Sequence, residues 1–160
     1  MDTKLQTEVS EGIVLVSDNK DLESRMAQET ETRRLLTDFI SKHLKSGTDF
    51  GTIGFTKRDG TVVQSKPCLF KPGGEKFCSL FHIRPIFRKD IETWEMAGSK
   101  SGLFCYICEL VDSKKRKVGE GRGSADVTEK AGWSINNAIK IAEKRAQLDA
   151  ILRTGGLSDF

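Results

Sequence analysis

Glycine occupies every second position of one short β-prone segment, KVGEGRGSADV, at Gly119, Gly121 and Gly123. Because successive side chains of a strand point to opposite faces, the three glycines leave one face of this strand bare. A bare face allows another backbone to come close, and the sequence predicts that the C-terminal helix lies across it. Nucleic acid lying on the glycines is the alternative. The spacing fits neither GxGxxG nor GxxxxGKS/T, so the segment is not a nucleotide-binding loop.

The predicted elements follow the order helix, hairpin, helix, three strands, helix. Apolar spacings of three and four indicate the helices, and short β-prone runs bounded by turn residues indicate the strands. Connections between the three strands are short, which predicts an antiparallel meander. The elements are a helix from Asp21 to about Lys45, a hairpin over 49–64, a short helix over 71–81, strands over 83–96, 102–111 and 117–127, and a helix from Ser134 to Thr154 that Gly155 ends.

Together these elements predict an α+β fold. Its centre is a three-stranded antiparallel meander with the long C-terminal helix packed on the sheet, a β-β-β-α core, to which an N-terminal helix and a short hairpin are added. Residues 1–20 are predicted to form an N-terminal arm, and residues 21–160 a single domain, because 160 residues suffice to bury a core. The sequence has no pattern of a signal peptide or a membrane span, which predicts a cytoplasmic protein with reduced cysteines.

Charge is distributed unevenly along the chain. Residues 1–32 carry eight acidic and three basic side chains, and the remaining 23 basic and 15 acidic side chains leave the rest net positive by 8. A basic surface attracts phosphate whatever the sequence of the nucleic acid. The imbalance therefore favours a polyanionic partner, with an ordinary solvated surface as the alternative.

Cys105 and Cys108 form a CxxC pair, a spacing found in zinc and redox sites. In a strand, side chains three apart point to opposite faces, so these two thiols are not placed to hold one ion. No second CxxC or cluster of histidines completes a tetrahedral set. The sequence therefore predicts buried structural cysteines, with no metal and no cofactor.

The C-terminal helix carries two kinds of charge when its residues are placed at 100° intervals. Arg145 and Asp149 fall between two apolar sectors and are predicted to pair with each other against the core or a neighbouring subunit. Lys140 and Lys144 lie on the polar face, free to meet an external anion or water. The first apolar sector of the helix contains Ile135, Ile139, Ala142, Ala146 and Ala150, and the second contains Ile141, Leu148 and Leu152. The polar face also contains Asn136, Asn137, Glu143 and Gln147.

Further cations and aromatic side chains suit a surface for single-stranded nucleic acid, which uses both. No nucleophile stands beside an evident base and no HExxH motif occurs, so a binding module without catalytic residues is favoured over an enzyme. Outside the helix, a run of cations falls at the predicted tip between the second and third strands: Lys114, Lys115, Arg116 and Lys117. The alternative for this run is that water alone surrounds it. Two further cations stand singly, Lys100 and Arg122. The candidate aromatic residues are Trp94, Tyr106 and Trp133, and the alternative is that they are buried in the core.

Residues 66–159 resemble the single-strand annealing proteins of homologous recombination, the Rad-fifty-two annealing domain and its shorter phage relatives. The likeness lies in the order of the segments and in three short motifs. These are the VGEG sequence of Val118–Gly121, the KRA sequence of Lys144–Ala146, and the glycine pair Gly155 and Gly156 that closes the helix. The N-terminal third of the chain has no clear counterpart in this family.

The resemblance implies a β-β-β-α core that assembles into rings or helical filaments and holds single-stranded DNA in a basic groove, without ATP or metal. The KRA position contacts DNA in the family, which points to Lys144 and Arg145. A basic residue at the start of the second strand does so too and corresponds to Lys100, and Lys66 is a looser counterpart. With the cations above, the predicted DNA-binding residues are Lys66, Lys100, Lys114, Lys115, Arg116, Lys117, Arg122, Lys140, Lys144 and Arg145.

The leading hypothesis is an oligomeric phage or bacterial protein that binds single-stranded DNA and anneals complementary strands, with a host single-strand-binding or recombination protein as a further partner. A second hypothesis is a phage-encoded interaction or inhibitor module that acts on a host defence or repair complex through its acidic N-terminal segment. A third is a nuclease or other enzyme, which requires paired carboxylates near the basic surface and a divalent ion.

Overall fold

The computed structural model describes residues 19–57 and 59–156. The chain forms two compact units, Met1–Lys42 and His43–Phe160. The arm predicted over residues 1–20 lies outside the described residues except for Asn19 and Lys20. Within the described ranges, no helix combines the length and the apolar character that crossing a bilayer requires.

Helix α1 (Asn19–His43) supplies the described part of the first unit and confirms the predicted N-terminal helix, two residues earlier at each end. Ion pairs between residues three or four apart run along its surface, as between Arg25 and Asp21 at 2.9 Å. Most of its residues are exposed, including the apolar Leu22 and Met26, of which Met26 is 61% exposed. Ion pairs at this spacing stabilise a helix that is exposed to solvent.

The second unit has the predicted α+β architecture, and its main sheet is the predicted antiparallel meander of three strands, β5 (Arg84–Lys89), β6 (Leu103–Val111) and β7 (Lys117–Asp126), in that order. Two smaller antiparallel pairs, β1 with β4 and β2 with β3, stand apart from this sheet. The elements are β1 (Phe50–Gly51), β2 (Gly54–Thr56), β3 (Val62–Gln64), β4 (Cys68–Leu69), α2 (Lys71–Leu80), β5 (Arg84–Lys89), α3 (Ile91–Met96), β6 (Leu103–Val111), β7 (Lys117–Asp126), a 3-10 turn (Val127–Glu129) and α4 (Ile135–Thr154).

The strand predicted over residues 83–96 is wrong in its second half, where the chain forms α3. Asp90 begins this helix, because its carboxylate accepts hydrogen bonds from the backbone N–H of Thr93 at 3.1 Å and from the Thr93 hydroxyl at 2.7 Å. An aspartate in the N-cap position satisfies backbone donors that a strand would pair differently. Strand β5 therefore ends at Lys89, one residue before the cap.

Helix α4 lies on the glycine face of β7, as predicted from the spacing of the glycines. A Cβ atom at Gly121 would lie 2.1 Å from the backbone nitrogen of Ala150, and one at Gly123 would lie 2.2 Å from that of Ala146. Two backbones therefore touch directly, with alanine on the helix opposite glycine on the strand. Ser134 caps the helix, since its hydroxyl accepts from the N–H of Asn137 at 3.3 Å.

Helix α2 packs along α4 against Leu148 of the second predicted apolar sector and against Gln147 of the predicted polar face. Gln147 was predicted on the polar face, yet it is buried and its amide lies 3.9 Å from the Cys78 sulfur. Gly74 of α2 is small enough for Leu148 and Ile151 of α4 to fit against it. The prediction for Gln147 fails because a helical wheel does not reveal a second helix on the polar side.

The β1–β4 region is tied to α2 by a buried carboxylate. Asp49 is fully buried, and one oxygen accepts from the Lys76 ammonium at 2.6 Å and from the Lys45 N–H at 2.7 Å. The Lys76 ammonium holds the pKa of the Asp49 carboxyl below its ordinary value. These bonds fix the loop between Lys45 and Asp49 within the second unit.

Candidate nucleic-acid interface

A groove of about 650 Å³ opens beside the N-terminal half of α4, on the helix-bearing side of the sheet. In the sheet register Tyr106 stands opposite Gly123 and Lys89, so these three positions share the face that α4 covers. Ile135 and Ile139 of α4 line one side of the groove. Its other lining residues are Lys89, Asp90, Ile91, Trp94, Lys100, Ser101, Gly102, Leu103, Phe104, Cys105, Tyr106 and Val127.

Aromatic side chains give the groove flat surfaces. Phe104, Tyr106 and Trp94 are half-buried, so part of each remains accessible. The Trp94 indole N–H donates to the backbone carbonyl of Lys100 at 3.1 Å, which ties the turn between α3 and β6 to the groove. Burial raises the pKa of the Tyr106 phenol, and the charge of Glu143 adds to the rise. The phenol therefore stays neutral at physiological pH.

Two lysines bring positive charge to the groove. Lys100 pairs with Asp126, with its Nζ 2.6 Å from the carboxylate. Lys89 has no carboxylate of the described chain within ion-pairing distance, since it takes part in none of the ion pairs found there. Of the ten predicted DNA-binding residues Lys100 lines the groove, whereas Lys89 was missed. Lys89 would have been found only with the pairing register of β5, which places it beside Tyr106.

Asp126 connects Lys100 to the turn that follows β7. Its carboxylate accepts from the N–H and the hydroxyl of Thr128, each at 2.8 Å. The Lys100 ammonium, followed by the Thr128 hydrogen bonds, lowers the pKa of Asp126 from 3.8 to about 2. The ionised carboxylate is therefore stabilised in the folded chain.

Acid is expected to weaken the fold through this carboxylate. Because the pKa of Asp126 is lowered on folding, its contribution is present above pH 3.8 and is lost as the pH falls towards about 2. We expect the difference in urea midpoint between the wild-type chain and Asp126→Asn to shrink over that interval. The variant serves as the reference because other carboxylates titrate in both chains. A constant difference would show that the charge of Asp126 does not contribute.

Arg145 forms a different ion pair from the one predicted. Its guanidinium binds the Glu129 carboxylate through two hydrogen bonds of 2.8 and 2.7 Å, and also donates to the Ser124 carbonyl at 2.7 Å. Asp149 pairs with Arg153 at 3.0 Å instead. The predicted Arg145–Asp149 pair is therefore wrong. Spacing along one helix does not reveal a carboxylate that the preceding turn brings alongside.

Side chains cap the outer edge of β7 where another strand would otherwise pair. An edge strand offers unpaired N–H and C=O groups to any passing strand. Their capping closes this part of the edge to strand addition, a feature that the sequence did not predict. The bonds are from Arg122 N–H to Asp149 at 2.9 Å, from Arg145 to the Ser124 carbonyl at 2.7 Å, and from Asp126 N–H to Glu129 at 3.0 Å.

The other predicted cations fall into two groups. Arg116 pairs with Asp112 at 2.7 Å, Lys117 with Glu109 and Glu120, and Arg122 with Asp90 at 3.4 Å. None of these lines the groove. In the described ranges, the second group has no ion pair: Lys66, Lys114, Lys115, Lys140 and Lys144. Lys140 directly follows Ile139 of the groove, and Lys144 lies one helical turn further on.

Cys105 and Cys108 are both buried, as predicted, and they lie on opposite faces of β6. Burial, followed by the nearby Cys78, raises the pKa of the Cys108 thiol to about 12, so this thiol stays protonated. Among residues 19–57 and 59–156 no three His, Cys, Asp or Glu side chains are grouped to hold a metal ion. Comparisons of the chain with protein-family models, with curated proteins and with solved structures found no match.

Proposed function

We propose that the protein binds single-stranded DNA in the groove beside α4 and anneals complementary strands without ATP. The observation that carries the proposal is the combination of Phe104, Tyr106 and Trp94 with Lys89 and Lys100 in one groove. Proteins that bind single strands without sequence preference combine cations for the backbone with aromatic surfaces for the bases. Both requirements are met by residues that the sheet and α3 hold in place.

The lysines near the groove would contact different phosphates of a bound strand. Lys89 and Lys100 would contact phosphates where they line the groove, and Lys140 and Lys144 would extend the cationic track along α4. Lys140 and Lys144 have no ion pair within the described chain, so contact with phosphate requires no existing pair to break. Lys100 would share its ammonium between Asp126 and phosphate.

The step from binding to annealing rests on the resemblance of residues 66–159 to the annealing proteins. In that family a strand is held extended while a complementary strand samples its bases. The proposal includes assembly into a ring or filament and a cytoplasmic site of action, that of the bacterial host for a phage-encoded protein. A duplex has stacked bases that the aromatic residues of the groove would not reach, so single strands should bind more tightly.

Binding to labelled single-stranded and double-stranded DNA across a salt series tests the proposal, with an annealing assay on the same sample. We expect preference for single strands and an affinity that falls as salt rises, with a log–log slope that decreases by about 0.7 for each phosphate contact removed. Lys89→Gln should reduce the slope, and Tyr106→Leu should weaken binding with little change in slope. Lys71→Gln, an exposed lysine of α2 paired with Glu75, is the matched control.

Absence of single-strand binding at low salt, or binding that does not depend on salt, would contradict the proposal. Equal losses in Lys89→Gln and Lys71→Gln would show that the groove is not the site. If single strands do not bind at all, the interaction module of the second hypothesis gains support, because Leu22, Met26 and Leu35 on α1 are exposed apolar side chains. Its predicted working surface, the acidic segment of residues 1–32, is described only from Asn19 onwards, and that part holds four of its eight acidic side chains.

A further inference from the structure

The β2–β3 hairpin displays apolar side chains that nothing in the described second unit buries. Phe55 and Ile53 are each 51% exposed, and by strand alternation they share one face with Val63, which stands opposite Phe55. A two-stranded hairpin with an exposed aromatic side chain is unusual, because burying such a side chain is worth about 1.5–3 kcal/mol. Phe55, Ile53 and Val63 lie together on this face, and a contiguous group of exposed apolar side chains marks an interaction site more often than a single one does.

The backbone of this hairpin is well fixed although its side chains are exposed. Ile53 and Ser65 exchange hydrogen bonds of 2.9 Å at the base, through the Ser65 N–H and the Ser65 hydroxyl. At the tip the Lys57 N–H donates to the Thr61 carbonyl at 2.8 Å, and Gly60 takes a φ of 85°, which glycine adopts without strain. Phe55 is thus presented from a fixed scaffold, which lowers the entropic cost of binding.

The charge of the hairpin indicates the kind of partner. Residues 52–66 carry three basic side chains, Lys57, Arg58 and Lys66, against the single acidic residue Asp59. Asp59 already accepts the Thr61 N–H at 2.9 Å. Lys57 and Lys66 have no ion pair within residues 19–57 and 59–156. By strand alternation Lys57 lies on the face of Phe55, whereas Lys66 lies with Val62 on the other face. An aromatic side chain beside an unpaired cation suits an unpaired base with its phosphate, whereas a purely apolar protein partner would leave the Lys57 charge unmatched.

We infer that the β2–β3 hairpin is a second nucleic-acid contact, in which Phe55 stacks on an unpaired base and Lys57 binds the adjoining phosphate. The inference rests on the proposed single-strand binding but uses residues outside the groove.

Fluorescence anisotropy with the full chain tests the hairpin, using a labelled mixed-sequence oligonucleotide and an abasic strand of the same length. Loss of one stacked base corresponds to a roughly 5- to 150-fold weaker affinity, so we expect a decrease of this size in Phe55→Ala on the normal strand. Phe55→Trp should retain the wild-type affinity, and the penalty of Phe55→Ala should largely vanish on the abasic strand. Val62→Ser removes a 71% exposed apolar side chain from the opposite face and is the matched control.

Wild-type affinity in Phe55→Ala, while Tyr106→Leu weakens binding, would overturn the hairpin contact and leave the proposed function standing. An equal loss on normal and abasic strands, or in Val62→Ser, would also overturn it, because the effect would not be stacking. No binding by the wild-type chain would overturn both proposals and favour a protein partner for this surface. Thermal melting of each variant verifies that the hairpin substitutions leave the fold intact.

Discussion

Gly121→Ala is expected to lower the free energy of unfolding by about 3 kcal/mol or more. The added Cβ would lie 2.1 Å from the Ala150 nitrogen and 2.7 Å from the Ala146 carbonyl oxygen. Both are backbone atoms of α4, so no side chain can rotate away to relieve the overlap. The helix would have to lift from the sheet, and urea denaturation followed by circular dichroism would measure the loss.

The control for this substitution is Gly54→Ala in the small hairpin. Gly54 also lies in a strand, and nothing stands within 4 Å of the Cβ position there. Alanine at this position should leave stability within about 0.5 kcal/mol of the wild-type value. Similar losses in both variants would show that glycine is needed for its own conformation and that contact between α4 and β7 is not responsible.

Arg145→Ala is expected to lower stability, whereas Lys144→Ala is expected to weaken DNA binding, although the two residues are adjacent. Arg145 holds Glu129 and the Ser124 carbonyl, so its removal should cost about 1–2 kcal/mol of stability, less than in a buried site because the guanidinium is partly exposed. Lys144 has no ion pair in the described chain, so Lys144→Ala should melt like the wild type and bind single-stranded DNA more weakly. Thermal melting and anisotropy on both variants would measure this.

Removing the caps of β7 should also change association. In Arg145→Ala combined with Asp149→Ala, the Ser124 carbonyl and the Arg122 N–H lose their partners and become available to another strand. We expect light scattering to report a larger mean mass for this double variant than for the wild type, whatever the wild-type assembly is. An unchanged mass with lower stability would limit the caps to a local role.

For the single variants, a stable Arg145→Ala chain together with an unstable Lys144→Ala chain would refute our assignment of the two residues.

Much of the fold was predictable because its determinants are local. Ser134 and Gly155 mark the ends of α4, and the alternation of glycine in β7 leaves one face open to a close backbone whatever the neighbouring sequence. The failures have non-local or competing causes. Residues 91–96 follow the N-cap Asp90, and that cap prevailed over the strand-like alternation of the segment. Gln147 is covered by α2, a helix almost 70 residues earlier in the chain.

The candidate groove was predictable only in part. The resemblance and the sign of its charge point to Lys100, and Tyr106 and Trp94 are candidates because their aromatic rings can stack on bases. Their arrangement with Lys89 depends on the register between β5 and β6, which no pattern within one strand reveals. The partner of Arg145 depends on the turn after β7, where Glu129 serves both the cap of that turn and the helix. Positive charge is visible in a sequence, but its neutralisation by a folded neighbour is not.

The glycines of β7 have a further consequence for how the chain folds. Glycine in a strand costs roughly 0.5–1 kcal/mol relative to alanine, so three of them make β7 a weak strand on its own. Contact with α4 offsets that cost, and the helix begins only nine residues after the strand ends. Strand and helix should therefore form in one cooperative step and open together, with their amides exchanging at similar rates. A chain interrupted within α4 would lose the third strand of its sheet as well.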